Sequence, residues 1–407
     1  MSTMVSLNPA GQGSADPAEP RAHWSGVLAM TLCVFVLIAS EFMPVSLLTP
    51  MAAALRVSEG GVGYGIAISG AFAVLTSLGI ARLAGAMDRK TLLLLLTGLM
   101  GVSGLIVALA PNYGVYMLGR ALIGVVIGGF WSMSVAVAMR LVPAARVPRA
   151  LAIFNGGNAL ATVVAAPLGS YLGGILGWRG AFVCLLPIAL LALAWQWISL
   201  PSMPAIARPA AGGSVLALLK RPVVAWGMAA AGAFFMGQFA LFTYVRPFLE
   251  TVTRVDVGTL SLVLLAIGVA GFVGTALIGR VLARGLYRTL VLIPLGMAAI
   301  ALALNAWGGA LALAFALLGL WGLMATAAPV GWWSWLAQVL PQEAEAGGGL
   351  MVAVIQLSIA LGSTLGGWLL DASGYGATFG SSAALLVLAG LLAWATARSS
   401  VSGARAG

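Results

Sequence analysis

The stretch WSGVLAMTLCVFVLIASEFMPVSLLTPM, residues 24–51, decides how the whole chain is expected to fold. It begins with an apolar run that is long enough to cross a bilayer, since about 20 such residues span the hydrocarbon. One carboxylate, that of Glu41, lies inside the run and is followed by Pro44 and Pro50. An ionised side chain at this depth costs roughly 2.5–3.5 kcal/mol on insertion scales. The stretch therefore predicts a first transmembrane helix in which Glu41 has a functional role, such as binding and releasing a proton.

The overall composition is that of a membrane protein. Of the 407 residues, 61% are hydrophobic and 7% are charged, whereas a soluble domain carries about 25% charged residues. The formal net charge of +10 could indicate nucleic-acid binding. The basic residues, however, lie in short segments between apolar runs, as the positive-inside rule expects of cytoplasmic loops. We therefore expect a lipid bilayer, and no nucleic acid, as a partner.

Apolar runs recur along the chain, and they predict an all-α membrane protein with twelve transmembrane helices in two six-helix halves. After the first helix, runs lie near residues 61–84, 91–110, 113–139, 149–173, 178–200, 223–247, 257–282, 288–307, 311–338, 347–370 and 376–397. The predicted organisation is a disordered cytoplasmic tail (1–21), an N-terminal half (22–200), a cytoplasmic linker (201–222), a C-terminal half (223–398) and a cytoplasmic tail (399–407). Because most of the 20 basic residues then fall on one side, both termini are predicted to be cytoplasmic.

The two predicted halves also resemble each other in sequence. A shift of 198 residues superposes Arg56 on Arg254, Arg82 on Arg280, and Lys90-Thr91-Leu92 on Arg288-Thr289-Leu290. Chance matches are easy in Leu- and Gly-rich sequence, but the recurrence of charged positions at one offset is harder to dismiss. The repeat predicts two parallel halves of similar structure.

Several functional classes are excluded by the types of residue present. The two cysteines, Cys33 and Cys184, each fall within a predicted span and suit apolar packing, and the one histidine, His23, precedes the first span. These residues cannot build an intramembrane zinc site. Neither lysine follows a glycine, so the sequence has no phosphate-binding Walker loop. We expect no metal, no cofactor, no ATP-driven pumping and no enzymatic activity.

A second charge, that of Arg120, is predicted to lie inside the membrane, about seven residues into the fourth span. Glu41 lies about nine residues before the first span ends on the same side, so at about 1.5 Å per residue the two side chains have comparable depth. Opposite charges at one depth can offset each other's desolvation. We predict a Glu41–Arg120 pair that loosens when Glu41 takes up a proton. A purely structural ion pair is the alternative.

Uncharged polar and aromatic side chains within the predicted spans are candidates for lining a substrate cavity. They are Trp131, Ser132, Asn155, Asn158, Gln238, Thr243, Tyr244, Trp333, Ser334 and Gln356. Amides can hydrogen-bond the edges of a flat polar ligand, and aromatic rings can stack on its faces. The set therefore favours a neutral, polar small molecule as substrate. Each of these residues could equally hold neighbouring helices together.

Two segments resemble signatures of one transporter family. The loop ARLAGAMDRKTLL, with Asp88, Arg89 and Lys90, resembles the cytoplasmic loop signature of the major facilitator superfamily, and these three residues are expected to act in its conformational change. Ala84 replaces the first glycine of that signature, and the later Gly-Arg-Arg is absent. An aspartate also suits the start of a helix through the helix dipole. The fifth span, GNALATVVAAPLGSYLGG, is similar to the Gly-Pro signature of drug/proton antiporters, with alanine before Pro167.

The resemblance extends from about Trp24 to Arg398. It is carried by the segments EFMPVSLLTPM (41–51), GGFWSMS (128–134), MRLVP (139–143), APLGS (166–170), GQFALFTYVRP (237–247), PVGW (329–332) and VAVIQL (352–357). These are similar to the purine ribonucleoside exporters in the drug/proton antiporter branch of the major facilitator superfamily. The resemblance implies a monomer in a bacterial inner membrane that exports inosine- or guanosine-like nucleosides in exchange for protons. It adds Arg246 to the substrate-binding candidates.

Three alternatives remain open at this point. The same fold could export sugars or amphiphilic drugs, or it could act as a facilitator without proton coupling. A membrane receptor or enzyme is disfavoured, because the sequence shows no appended soluble domain and no catalytic cluster of histidines and cysteines.

Overall fold

The computed structural model describes residues 22–85, 87–143, 146–204, 215–341 and 343–406. Within these ranges the chain is almost entirely helical and contains no β-strand. Helices that cross a bilayer satisfy their own backbone hydrogen bonds, which water cannot do in hydrocarbon. The predicted all-α fold is therefore confirmed, while the predicted disordered tail, residues 1–21, lies outside the described residues.

The N-terminal half is formed by six spans. Its helices are α1 (Trp24–Leu55), α2 (Glu59–Ala84), α3 (Arg89–Ala108), α4 (Tyr113–Leu141), α5 (Val147–Val183) and α6 (Leu185–Ser199). Helix α5 is broken at Gly177, whose φ of 73° lies in the left-handed region that glycine adopts without a steric penalty. The residues of α5 after this break continue into α6 and complete the sixth span.

The C-terminal half repeats this count. Its elements are a 3₁₀-helix (Val215–Lys220), α7 (Pro222–Phe242), α8 (Val245–Phe248), a π-helical turn (Leu249–Thr253), α9 (Val257–Leu282), α10 (Leu286–Trp307), α11 (Leu311–Val339) and α12 (Ala344–Ala406). Helix α12 breaks at Gly374, with a φ of 78°, into a first and a second arm. With α7, α8 and the π-turn as one span, the described residues form twelve spans as predicted.

Two predicted boundaries differ from the structure. The seventh span was expected to run straight from 223 to 247, but α7 ends at Phe242 and the chain bends before α8. Pro247 explains the bend, because its ring has no N–H and clashes with the carbonyl four residues earlier, at Thr243. The last helix is longer than predicted and continues to Ala406.

The internal repeat is visible in the backbone. Arg56 and Arg254, one shift of 198 residues apart, both end a helix in the left-handed conformation, with φ of 57° and 59°. Two residues later, Ser58 and Asp256 each cap the next helix through a side-chain oxygen. Helices α4 and α11 begin and end at positions related by the same shift. The structure thus contains two similar halves, as the sequence repeat predicts.

The halves contact each other along two pairs of helices. Helix α2 packs against the first arm of α12, and α5 packs against α9. Gly268 of α9 lies directly on the backbone of Val163, one turn before Pro167 in α5. The Pro167 segment therefore permits the close helix packing that its composition predicts.

Within the N-terminal half, glycines let α4 approach α2 closely. A Cβ atom at Gly124 or at Gly128 would overlap the backbone carbonyls of Ser69 or Ala73 in α2. Two glycines four residues apart lie on one face of a helix, which is the usual pattern for close helix pairs in membranes. This contact places Arg120, one turn before Gly124, against α2.

Replacing Gly128 should therefore destabilise the protein. We expect Gly128→Ala to lower the apparent Tm in detergent by several degrees, because overpacking costs about 1–3 kcal/mol and a backbone carbonyl cannot move aside easily. Gly98→Ala is the matched control, since no atom lies within 4 Å of a Cβ at that position. Equal melting temperatures for the two variants would show that the α2–α4 contact is not tight.

Candidate functional site

Arg120 is almost fully buried, at 1% exposure, and its guanidinium is held by acceptors on α1 and α2. Nη1 donates to the carbonyl of Ser40 (2.9 Å), and Nη2 donates to the carbonyl of Glu41 (3.0 Å). On α2, Nε donates to the carbonyl of Gly65 (3.1 Å), and Nη2 also reaches Oγ of Ser69 (3.2 Å). The guanidinium therefore joins three helices of one half.

The prolines of α1 explain why its carbonyls are available. In a regular helix the carbonyl of Ser40 would accept the N–H of residue 44, but Pro44 has none. Likewise, Pro50 leaves the carbonyl of Ser46 without a helical donor. Arg120 uses the first carbonyl, and Arg246 of the C-terminal half donates to the second. Each proline thus exposes one acceptor for one buried arginine.

The carboxyl group of Glu41 is buried at 3% exposure and lies between Arg120 and Gln356. Arg120 hydrogen-bonds the backbone carbonyl of Glu41, and its charge attracts the carboxylate through space. The Gln356 amide, from the first arm of α12, is close enough to interact with the same carboxyl group. The structure thus places Gln356, a substrate-binding candidate from the other half, close to the Glu41 and Arg120 that the sequence proposes as a pair.

Two amide oxygens in this region lack partners. Oε1 of Gln356 and Oε1 of Gln238 are buried without a hydrogen bond from any described residue. A buried polar atom left unpaired costs about 1–3 kcal/mol, so native proteins seldom leave one without a role. These oxygens are therefore candidate acceptors for a bound solute.

An aromatic pair beside these residues crosses between the halves. The rings of Phe42 and Phe239 are stacked, with centroids 5.7 Å apart and planes at 26°. Phe42 follows Glu41 in α1, and Phe239 follows Gln238 in α7. Sequence reasoning missed this pair, although both phenylalanines are direct neighbours of candidate residues.

Tyr244 and Arg246 lie elsewhere, at the end of the bundle where α1 ends and α2 begins (the distal end). The Tyr244 hydroxyl, fully buried, donates to the carbonyl of Ser363 (2.7 Å). Its ring fills the space beside Gly63 of α2 and Gly367 of α12, where a Cβ would overlap it.

Arg246 also joins the halves at the distal end. Besides the carbonyl of Ser46, it contacts Oγ of Ser170 (3.5 Å) and forms an ion pair with Glu250 (2.7 Å). The structure therefore places these two substrate-binding candidates in inter-half contacts, away from Glu41.

Further hydrogen bonds at the distal end were not foreseen from sequence. Oγ of Ser58 donates to Oδ2 of Asp371 (2.6 Å), and the Tyr375 hydroxyl donates to Oε2 of Glu59 (3.4 Å). Each bond joins the start of α2 to α12. These contacts and those of Tyr244 and Arg246 close the distal end of the interface between halves.

The remaining substrate-binding candidates are Trp131, Trp333, Asn158 and Asn155. Trp131 lies eleven residues beyond Arg120 on α4, about 16 Å along the axis and toward the opposite end. Trp333 is 41% exposed, and Asn158 is half-buried in α5. Asn155 also lies in α5, but its side chain is outside the described residues. Of the described candidates, Trp131 therefore lies well away from Glu41 along the bundle.

The predicted conformational loop is anchored within its own half. Oδ1 of Asp88 accepts the N–H of Lys90 (2.7 Å) and caps α3, while Oδ2 accepts from Ser202 (2.5 Å) and Met203 (2.8 Å). The N–H of Arg89 donates to the Met203 carbonyl (2.9 Å). Burial acts to raise the pKa of Asp88, but these hydrogen bonds outweigh it and lower the pKa below its usual value. The loop is thus tied to the segment that follows α6.

Comparison with known proteins identifies the family. Residues 30–362 match the family model described as Major Facilitator Superfamily. The chain belongs to this superfamily. It is therefore a multi-pass membrane protein of a family that transports small molecules, and the two-half arrangement of the structure is the major facilitator fold.

Two relatives cover nearly the whole chain. The "Transcription regulatory protein OpdE" of Pseudomonas aeruginosa is 67% identical over 384 residues, which is 94% of this chain and 96% of that protein. The "Purine ribonucleoside efflux pump NepI" of Salmonella paratyphi C is 42% identical over 379 residues, or 93% and 95% of the two chains. The two relatives carry different functional names, so similarity alone supports transport more firmly than it supports one substrate.

Solved structures show the same fold at low sequence identity. A bacterial homologue of the human lysosomal transporter Spinster superposes with a TM-score of 0.75 at 16% identity, covering 93% of this chain and 97% of that chain. A D-xylose–proton symporter superposes with a TM-score of 0.72 at 18% identity, covering 91% and 96%.

The space occupied by Tyr244 leads to a prediction about closure of the distal end. In Gly63→Ala the new methyl group would meet the Tyr244 ring, so the halves should separate there more often. With Cys33 and Cys184 replaced by serine, a reporter cysteine at the buried position 46 (Ser46→Cys) should react several-fold faster with a maleimide in detergent.

The control for this experiment is Gly98→Ala, where a Cβ meets no neighbour. It should leave the labelling rate of the reporter unchanged. If Gly63→Ala also leaves the rate unchanged, the Tyr244 contact does not limit opening.

The lowered pKa of Asp88 predicts a pH-dependent contribution to stability. A carboxylate whose pKa is lower in the folded state stabilises that state above its unfolded pKa of about 3.9, and the effect disappears as pH falls through the folded pKa. We expect Asp88→Asn to lower the Tm by about 2–4 °C at pH 7. The difference from wild type should shrink below about pH 4; a difference that stays constant down to pH 3 would contradict the assignment.

Proposed function

We propose that this chain exports purine ribonucleosides in exchange for protons. It works as a monomer in a bacterial inner membrane, with both termini in the cytoplasm. The observation that carries the proposal is the buried Glu41 carboxyl group at the boundary between the halves, with Arg120 of its own half beside it and Gln356 of the other half within reach. The 42% identity to a purine ribonucleoside efflux pump over 93% of the chain supports the substrate.

The proposed coupling follows from the cost of a charge in an apolar environment. When Glu41 is ionised, it is stabilised by the fixed charge of Arg120 and by the N–H groups of the Gln356 amide. When it is protonated, both attractions weaken, and the two halves lose part of what holds them together at this depth. Protonation therefore changes the relative free energies of the inward- and outward-facing states, and a proton can drive only as much change as this difference allows.

Arg120 serves in this scheme as a fixed reference charge. Its hydrogen bonds all go to α1 and α2, which belong to the same half as α4. Movement of the C-terminal half leaves these bonds intact. The contact that changes is the one between Glu41 and Gln356, because it alone among these joins the halves.

The coupling role of Glu41 can be tested in proteoliposomes. An imposed pH gradient should drive accumulation of labelled inosine by wild-type protein. Glu41→Gln cannot release a proton, so accumulation should fall to the level of protein-free liposomes, while exchange of labelled for unlabelled inosine continues. Glu343→Gln is the control, because Glu343 pairs with Arg221 at the surface, and this variant should leave accumulation unchanged.

The same assay separates the remaining alternatives. Accumulation that survives in Glu41→Gln would refute the coupling role. Inosine exchange without any response of wild type to the pH gradient would identify a facilitator. A protein that moves arabinose or chloramphenicol but no nucleoside would keep the fold and lose the proposed substrate.

A second candidate function is an effect on transcription. It is favoured by the 67% identity to a protein named as a transcription regulatory protein. Deletion of the gene, followed by complementation with wild type or Glu41→Gln, separates the two functions through transcript measurements. If the wild-type and the Glu41→Gln versions of the gene both restore the transcript levels, regulation is independent of proton-coupled export. If only the wild-type version restores them, regulation follows from transport.

A further inference from the structure

The two unpaired amide oxygens, that of Gln356 close to Glu41 and that of Gln238 on α7, differ from the other unpaired side-chain oxygen in the described residues. The only other buried side-chain oxygen without a hydrogen bond there, Oε2 of Glu250, belongs to a carboxylate that is ion-paired with Arg246. The oxygens of Gln238 and Gln356 have no such compensation. Both residues lie in spans of the C-terminal half, on α7 and on the first arm of α12.

The position of Gln356 fixes which end of its amide is free. A carboxylate only accepts hydrogen bonds, so the amide must present its NH₂ group to Glu41. Its oxygen then points away from the carboxylate and remains an acceptor. A solute that meets this oxygen must offer an N–H or O–H donor, and a solute with only acceptors would be rejected.

The packing register of α7 and α12 sets how far apart Gln238 and Gln356 lie along the bundle. Gly362 and Gly366 of α12 lie on the carbonyls of Met236 and Ala240 of α7, so the two helices run parallel at a constant offset. At that offset Gln238 lies eight residues nearer the distal end than the α7 position opposite Gln356. Eight residues correspond to about 12 Å between the two backbone positions along the helix, and a nucleoside lying lengthwise between the side chains could hydrogen-bond one of them at each end.

The rings of Phe42 and Phe239 are stacked on each other across the two halves. Phe42 follows Glu41 in α1, and Phe239 follows Gln238 in α7. Phe42 is only half-buried, so part of its side chain remains accessible. Stacking of a base on an aromatic ring is favourable for any purine and does not distinguish among them. Selection must therefore come from the acceptors.

We propose that Oε1 of Gln356 accepts the N1–H of a 6-oxopurine base and that Oε1 of Gln238 accepts the 2′- or 3′-hydroxyl of the same nucleoside. This assignment rests on the proposed function and adds the basis of its selectivity. The base lies toward Glu41, and the ribose lies toward the distal end. Nucleosides without an N1–H, such as N1-methylated ones, leave the Gln356 oxygen buried and unpaired.

Competition against uptake of labelled inosine tests the assignment first in wild type. We expect 1-methylinosine, which lacks the N1–H, and 2′,3′-dideoxyinosine, which lacks two ribose hydroxyls, each to compete at least about tenfold more weakly than inosine. Equal competition by inosine and 1-methylinosine would overturn the base assignment. Equal competition by 2′,3′-dideoxyinosine would overturn the ribose assignment.

Two variants then connect each preference to one residue. Gln356→Met keeps a similar volume but removes the acceptor, so it should abolish the preference over 1-methylinosine and retain the preference over 2′,3′-dideoxyinosine. Gln238→Met should abolish the preference over 2′,3′-dideoxyinosine and retain the preference over 1-methylinosine. Gln338→Met, at an exposed position on α11, is the control and should keep both preferences.

The outcomes distinguish this inference from the proposed function. If both preferences persist in the two variants, the assignment is wrong although nucleoside export stands. If no nucleoside competes with any transported solute in wild type, the proposed function fails and the assignment fails with it. Should a methionine variant not fold, as judged by size-exclusion chromatography, Gln356→Leu or Gln238→Leu, which also lacks the acceptor, replaces it in the same comparison.

Discussion

The structure depends on the supply of hydrogen-bond acceptors to two buried arginines. In hydrocarbon, a guanidinium without acceptors is far too costly to retain, and a helix normally uses all its interior carbonyls itself. The prolines of α1 solve both problems, since each removes one helical donor and leaves one carbonyl free. The carbonyl of Ser40 then holds Arg120 within the N-terminal half, and that of Ser46 holds Arg246 from the other half. One helix thereby organises both the buried charge and the closed end.

This arrangement divides the interface between the halves into two regions. At the distal end, Tyr244, Arg246 and Ser58 form direct contacts that must break when that end opens. Near mid-bundle the contact is a single carboxyl group and an amide, flanked by two phenylalanine rings. The first region is held by hydrogen bonds and packing, whereas the second contains the carboxyl group that we propose to take up the proton. Coupling between them requires no long relay, because α1 passes through both.

Much of the fold could be predicted from the sequence, because a membrane leaves few alternatives. Long apolar runs must be helices, and the shift of 198 residues already indicated two similar halves. The common depth of Glu41 and Arg120 also followed from counting residues. Counting residues did not reveal that the Arg120 guanidinium hydrogen-bonds mainly to backbone carbonyls and not to the Glu41 carboxylate. The contacts of Tyr244 with Ser363 and of Ser58 with Asp371 depend on how the halves pack, and no local pattern encodes that.

The matching bounds of α4 and α11 have one more consequence. The position of α11 that corresponds to Arg120 is Leu318, fully buried among apolar neighbours. In sequence, every acidic residue of the C-terminal half lies near a helix end. The two charged residues at mid-membrane, Glu41 and Arg120, therefore both belong to the N-terminal half, although the two halves have similar structures. In the C-terminal half, changes to side chains other than Gln356, Arg246 and its partner Glu250 therefore leave the buried charges and their partners in place.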